Sequence, residues 1–259
     1  MIRILCVGDV VGRAGREALA ARLFGLRDRE QVDLVVANGE NAAAGFGLTS
    51  AVAEELLSVG VDVITTGNHV WAKKEFWPYL DRSGRVVRPG NFPPGNPGRG
   101  WTLCRAGAVP VAVVNLQGRL FMDQAVDDPF RAAEAARREV GEQARVVVVD
   151  FHAEATSEKV ALGRFLDGQV TAVVGTHTHV PTADARLLPG GTAYVTDLGM
   201  TGPPDSVIGI QVDIALSRFR TGRPTRMEVA DGPATINGVI VDCDPDTGRA
   251  LAIRPVHGA

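Results

Sequence analysis

Four of the five histidines in this 259-residue sequence stand just after short apolar runs. Gly8-Asp9 follows RILCV, Asn38-Gly39-Glu40-Asn41 follows LVVA, and Gly67-Asn68-His69 follows VDVITT. Phe151-His152 ends RVVVVDFH, and Gly175-Thr176-His177-Thr178-His179 follows VTAVV. One such histidine alone reads as a hydrogen-bonded structural residue. Four of them together with Asp9, Glu40, Asn41 and Asn68 read as a metal site. The donors are imidazole, carboxylate and amide, with no thiolate, a set that suits Mn, Fe or Zn and argues against a purely structural zinc. Asp9, Glu40, Asn41, Asn68, His152, His177 and His179 are too many for one four-coordinate ion. Two ions about 3.5–4 Å apart, bridged by a carboxylate, account for them better. On an extended segment His177 and His179, two apart, would face the same side.

The elements that must position these residues follow from the apolar pattern. Buried strands rich in Val and Ile are expected at 2–7, 34–37, 61–65, 109–115, 146–149, 170–174 and 192–196. Helices are expected between them, at 13–27, 49–58, 73–80, 129–142 and 157–166. Strands alternating with helices make an α/β layer fold, and in such sheets ligands bind beyond the C-terminal strand ends. From about Ile208 the pattern changes to expected strands at 208–215, 226–229, 236–242 and 250–253, suggesting a second sheet packed on the first. The Pro/Gly-rich RPGNFPPGNPGRG (88–100) must be irregular, and is read as a loop on the rim of the site rather than an interdomain linker. The whole of 1–259 is expected to form one domain.

Composition narrows the function classes. Lys plus Arg number 27 and Asp plus Glu 30, for a formal net charge of −3, and aromatics make up 5%. That balance argues against an extended nucleic-acid groove or a membrane-binding face. Cys6, Cys104 and Cys243 form no CxxC pair, so neither a disulfide framework nor a thiolate zinc site is expected. The N-terminal MIRILCVGDV reaches Asp9 too soon for a secretory signal, and no apolar stretch has the length of about 20 residues that a membrane span needs. A cytoplasmic protein is expected. Gly45-Phe46-Gly47 lacks the third glycine of a dinucleotide fingerprint.

Several strings resemble the calcineurin-like metallophosphoesterase superfamily, and more closely its YmdB-like branch. They are GDVVGRAGR, ANGENAAAGFGLT, TTGNHVW, RPGNFPPG, NLQGR, DDPFR, DFHAEATSEK, VVGTHTHVPTAD and YVTDLGMTGP, spanning residue 8 to just past 200. Against the wider superfamily, Val11 stands where an Asp-x-His pair would place its histidine. NGEN replaces GDxxD, so the resemblance would make Glu40 rather than an Asp the bridging carboxylate, and Val70 follows the GNH box in place of an acid. The resemblance implies an αββα sandwich of two packed mixed β-sheets flanked by helices. It implies that Asp9, Asn41 and His179 bind one metal, that Asn68, His152 and His177 bind the other, and that Glu40 bridges. His69 would be the acid that protonates the leaving oxygen. Two divalent or trivalent ions per chain are implied, Fe or Mn first and Zn as a further candidate.

The resulting expectation is a phosphodiesterase acting on small diesters such as 2′,3′-cyclic nucleotides through a two-metal-activated hydroxide. A nucleotidase-type phosphomonoesterase on the same core is the first alternative. A metal-bound regulatory or RNA-interacting protein with incidental turnover is the second. A homo-oligomer is compatible with all three. Asp150 and Glu154 are read as carboxylates that either orient imidazoles or cap the helix starting near Ser157. Arg88, Arg99 and Arg119 are read as solvated surface residues in preference to phosphate ligands.

Overall fold

The computed structural model describes residues 1–258. The chain begins with β1 (Ile2–Val7), β2 (Asp9–Val10), α1 (Gly12–Glu30), β3 (Leu34–Asn38), α2 (Ser50–Ser58), β4 (Val63–Thr65) and α3 (Trp77–Arg82). It continues through β5 (Trp101–Ala106), β6 (Val109–Gln117), α4 (Pro129–Val140), β7 (Val146–His152), α5 (Thr156–Phe165) and β8 (Ala172–Thr176). The last third holds β9 (Arg186–Leu187), β10 (Ala193–Val195), β11 (Met200–Thr201), α6 (Val212–Thr221), β12 (Gly238–Cys243) and β13 (Ala250–Val256).

Two sheets carry the fold. The first has strand order β13-β12-β1-β3-β4 and the second β5-β6-β7-β8-β10-β9; β2 and β11 form a two-stranded ladder of their own. Within the first sheet β1, β3 and β4 are parallel. Within the second, β6, β7, β8 and β10 are parallel. Successive side chains of these strands enter different layers, as the two-residue strand period requires. Ile4 and Cys6 of β1 join Val36, Val63, Val111, Val113, Val148 and Val174 between the sheets. Leu5 and Val7 face outward instead, onto Leu19, Leu23 and Leu26 of α1 and Leu56 of α2. On the far side Val114, Val147, Val149 and Val173 pack with Ala133 of α4 and Leu162 of α5. Strands buried on both faces explain the near-continuous apolar runs. The expected αββα sandwich of mixed sheets is the fold observed.

Local chemistry sets several element ends. The Thr49 hydroxyl accepts from Val52 N at the start of α2. Asp128 accepts from Phe130 N and Arg131 N at the start of α4, with Pro129 in the first turn, an ordinary N-terminal arrangement.

The C-terminal third differs from expectation in three ways. Residues 208–215 do not form a strand: they lead into α6, because Val212, Ala215, Leu216 and Phe219 recur with helical spacing and Ile208 (φ 47°) and Gly209 (φ 96°) break extended backbone. Residues 226–229 form no strand beyond an isolated bridge between Val229 and Ile210. Finally, β12 and β13 do not build the second sheet. Instead β12 pairs antiparallel with β1 and β13 pairs antiparallel with β12, covering an edge that the parallel strands would leave open. The second sheet comes from the middle of the chain, including β5, an edge strand whose alternating exposure gave no continuous apolar run.

The segment 88–100 also departs from expectation. It carries the chain from the first sheet to the second, and none of its residues lines the cavity over the strand ends. Arg88 is buried, and its guanidinium donates to the carbonyls of Pro89, Asn96 and Pro97, so it braces its own loop rather than lying in solvent. Among the described residues no helix is long and apolar enough to cross a membrane.

Two glycines at strand ends are required by close packing. A Cβ on Gly8 would lie 1.8 Å from the Gly199 carbonyl oxygen, and one on Gly175 would lie 1.8 Å from that of Thr196. Gly175→Ala must therefore push β8 and the chain after β10 apart. It is predicted to cost about 3 kcal/mol and to lower the melting temperature by roughly 6–12 °C in calorimetry. An unchanged melting temperature would contradict this close approach.

Candidate metal centre

The parallel strands of both sheets bring their C-terminal ends to one place, and all eight residues singled out in the sequence meet there. Glu40 is fully buried at the middle. Its Oε1 lies 3.2 Å from His152 Nε2, 3.4 Å from His69 Nδ1 and 3.3 Å from Asn41 Nδ2. Two groups flank it. In one, His152 Nε2 is 2.8 Å from Asn68 Oδ1 and 3.0 Å from His177 Nδ1. In the other, His179 Nε2 is 3.1 Å from Asn41 Nδ2 and 3.7 Å from Asp9 Oδ1. Asp9 is fully buried; its Oδ2 accepts from His177 N at 3.2 Å, while its Oδ1 has no hydrogen-bond partner.

This donor set is unbalanced in a way that fits a cation. A buried carboxylate oxygen without a partner is costly, and here two buried carboxylates and an amide oxygen converge. Ligand atoms of Glu40, His152 and His177 all lie within 4.8 Å of one another, close enough to hold a metal ion. The imidazoles are tuned to donate lone pairs. Burial pushes the pKa of His152 down to about 4 and that of His177 down to about 3, so both are neutral at pH 7. Burial pushes Asp9 up, as expected for a carboxylate removed from water with no positive partner. The buried ammonium of Lys159 does not supply that charge, because it is bound to Asp197 Oδ2 at 2.7 Å.

The ring nitrogens turned away from the cluster are also held. His179 Nδ1 donates to Ile208 O at 2.8 Å, which directs Nε2 toward Asp9 and Asn41. Thr176 Oγ1 donates to Asp150 Oδ1 at 2.7 Å and accepts from His152 Nδ1 at 2.9 Å, leaving the Nε2 lone pair toward Glu40. Asp150 thus orients His152 through a hydroxyl, the kind of outer contact that fixes a ligand's tautomer. Asp150 also accepts from Thr65 Oγ1 and Asn38 Nδ2 of the first sheet. Its burial raises its pKa to about 7 despite these donors. Glu154 reaches His177 directly, Oε2 to Nε2 at 3.2 Å. Neither carboxylate caps α5, whose N-cap is Ala155 without a side-chain bond.

The expectation of an extended His177–His179 segment is not met. Both residues have positive φ, 102° and 66°, a conformation that side chains other than glycine rarely adopt. The bend turns the two rings to different groups instead of one face. Asp197 holds the bend: its Oδ2 accepts from Thr178 N, and its Oδ1 from Gly199 N. Asp197 and Lys159 were not singled out in the sequence. Asp197 follows the apolar Ala193–Val195 strand, so the strand-end rule that found Asp9 would have found it too. Arg119 is exposed, as expected, and does not line the cavity over the cluster; its backbone N–H donates to Glu158.

A two-sheet sandwich between helices, with carboxylates, amides and imidazoles converging at its strand ends, defines a metallophosphoesterase of the calcineurin-like superfamily. The model of the family described as YmdB-like protein matches residues 5–256, and the chain belongs to that family. It is 47% identical over 255 residues to a 2′,3′-cyclic-nucleotide 2′-phosphodiesterase of Bacillus subtilis, covering 98% of this chain and 96% of that protein. It is similar to the crystal structure of a hypothetical protein from Thermus thermophilus, with a TM-score of 0.92 and 47% identity, covering 99% and 98% of the two chains. It is also similar to a Mycoplasma pneumoniae protein described as a novel phosphatase, with a TM-score of 0.93 and 35% identity, covering 99% of this chain and 92% of that one.

The Lys159–Asp197 pair is almost wholly buried, with side-chain exposures of 1% and 0%. Lys159→Met strands the Asp197 charge and is predicted to cost roughly 3–5 kcal/mol in urea unfolding. The double variant Lys159→Met/Asp197→Asn should recover part of that loss. Equal stability of Lys159→Met and the native protein would show that the pair does not hold the bend.

Proposed function

We propose that this chain is a two-metal phosphodiesterase acting on small diesters such as 2′,3′-cyclic nucleotides. The observation that carries the reading is the convergence of buried acceptors on one point, with Asp9 Oδ1 left without a partner. In this reading Asp9, Asn41 and His179 hold one ion and Asn68, His152 and His177 the other, with Glu40 bridging. Iron or manganese suits this oxygen- and nitrogen-rich set, and zinc is compatible with it. The 47% identical Bacillus subtilis relative, a 2′,3′-cyclic-nucleotide 2′-phosphodiesterase, supports the substrate class. All three cysteines are free thiols, in keeping with a reducing cytoplasm.

Bound metals lower the pKa of a water and neutralise charge on the phosphoryl oxygens. The protein's own groups do the rest. Glu40 and Asp9 supply buried negative charge, and Asp150 and Thr176 keep His152 in one tautomer. His69 is partly exposed, with Nδ1 2.8 Å from Asn41 Oδ1. That contact keeps its ring at the edge of the cluster, where it can protonate a departing alkoxide. An acid so placed contributes about 10²–10⁴-fold.

A second reading, phosphomonoester hydrolysis on the same core, is favoured by the description of the Mycoplasma pneumoniae relative as a phosphatase. Initial rates separate the two: bis(p-nitrophenyl) phosphate should turn over faster than p-nitrophenyl phosphate, and the reverse order would favour the monoester reading.

The roles of two histidines are tested by metal content and rate together. His177→Ala should lose bound metal. His69→Ala should keep it while kcat falls by about 10²–10⁴-fold, and loss of metal there would remove the acid role. Burial lowers the His69 pKa from its ordinary value of 6.5. The protonated ring is the active form, so the His69-dependent part of kcat should fall as pH rises through a value below 6.5, a limb absent from the His69→Ala profile.

A further inference from the structure

A cavity of about 580 Å³ opens directly over the strand-end cluster, with Glu40, His69 and His179 on its floor. This is the size of a small-molecule site and larger than a phosphate group needs. Its remaining wall is largely apolar and includes Phe46, Ile208, Ile210, Met227 and Val229. Phe46 is 52% exposed, although a ring of that size is normally buried. Nothing in the metal chemistry above uses it.

The ring is nonetheless held in place. It sits in a tight loop immediately after Asn41, in which Gly45 N donates to Asn41 O and Ala43 N to Gly47 O, both at 3.0 Å. Ala44, Gly45 and Gly47 all have positive φ, at 58°, 81° and 83°. A Cβ on Gly45 would lie 2.3 Å from Val229 Cγ2, so the loop is seated against the far wall of the cavity. On its other side Phe46 meets the His69 ring, with centroids 4.2 Å apart and planes tilted by 44°. The sequence thus places an exposed aromatic face at a fixed distance from the cluster, one imidazole ring away.

We propose that Phe46 is the platform on which the substrate's nucleobase stacks, and that the apolar wall from Ile208 to Val229 closes over that base. The inference rests on the diester reading. In a 2′,3′-cyclic nucleotide, phosphorus is bonded to O2′ and O3′ and the base to C1′ of the same ribose. One five-membered ring therefore separates base from phosphate, matching the one imidazole that separates Phe46 from Glu40 and Asn41. Glu154, Thr178 and Arg218 also line the cavity and can meet sugar hydroxyls, whereas the patch of Phe46, Ile208, Ile210, Met227 and Val229 carries no polar side chain. A flat heterocycle finds an aromatic surface and aliphatic cover. Such stacking is tolerant of base identity, so Phe46 selects for a base without selecting among bases.

The test compares two substrates in native protein, Phe46→Ala and Phe46→Trp, all loaded with manganese. One substrate is adenosine 2′,3′-cyclic phosphate. The other is the 2,3-cyclic phosphate of methyl β-ribofuranoside, which keeps the reacting diester and replaces the base by methoxyl. Native protein should favour the adenosine compound in kcat/KM by about tenfold, mostly through KM, as base–aromatic stacking allows. Phe46→Ala should bring that ratio close to one, and Phe46→Trp should retain it. A ratio unchanged in Phe46→Ala would overturn the proposal. If native protein hydrolyses neither compound, the diester reading fails. Calorimetric binding of adenosine 3′-monophosphate then still decides the base subsite: about tenfold weaker binding to Phe46→Ala supports it, and equal affinity removes it.

Discussion

Buried negative charge without a matching protein cation is the constraint that organises this molecule. Asp9 and Glu40 are removed from water at the meeting point of two sheets, and the one fully buried lysine is spent on Asp197. A carboxylate in such a place must be protonated or lie beside a positive charge. The surrounding groups favour the second outcome: neutral imidazoles, amide oxygens and a carboxylate oxygen left without a donor. The fold holds the charges together, and a bound cation would in turn stabilise the strand ends that hold it.

The sandwich makes this possible because parallel strands end in register. β1, β3 and β4 of one sheet and β7 and β8 of the other deliver their following residues to one edge, and Asp150 ties the two edges together. Its carboxylate is bonded by Asn38 and Thr65 from the first sheet and by Thr176 from the second. The same Thr176 fixes His152. Rigidity of the sandwich and orientation of the His152 ring in the candidate metal cluster are therefore two results of one hydrogen-bond network. The bend at His177–His179 is maintained similarly from outside, through Asp197, at the expense of two residues in the left-handed region.

Much of this was legible in the sequence for a physical reason. Strands buried on both faces read as uninterrupted Val and Ile, so their ends are sharply marked, and the polar residue that follows each one is the residue placed at the sheet edge. Asp9, Glu40, Asn41, Asn68, His152 and the two histidines after β8 were visible for that reason alone. Relations between strands were not legible. That Asp150 reaches His152 through Thr176 depends on β7 and β8 being neighbours, and Lys159 and Asp197 are 38 positions apart with no spacing to link them. Ile208–Ala215 was misread because a short apolar run satisfies both the strand and the helix period. The bend at His177 and His179 was missed because a positive φ outside glycine leaves no mark in composition.

We propose that two ions supply the charge missing from this site. Anomalous scattering from crystals of the protein grown with manganese measures this most directly. Two peaks about 3.5–4 Å apart are predicted, one among Asp9, Asn41 and His179 and the other among Asn68, His152 and His177, with Glu40 touching both. A single peak at full occupancy, or peaks that leave Asp9 without a metal, would contradict the account.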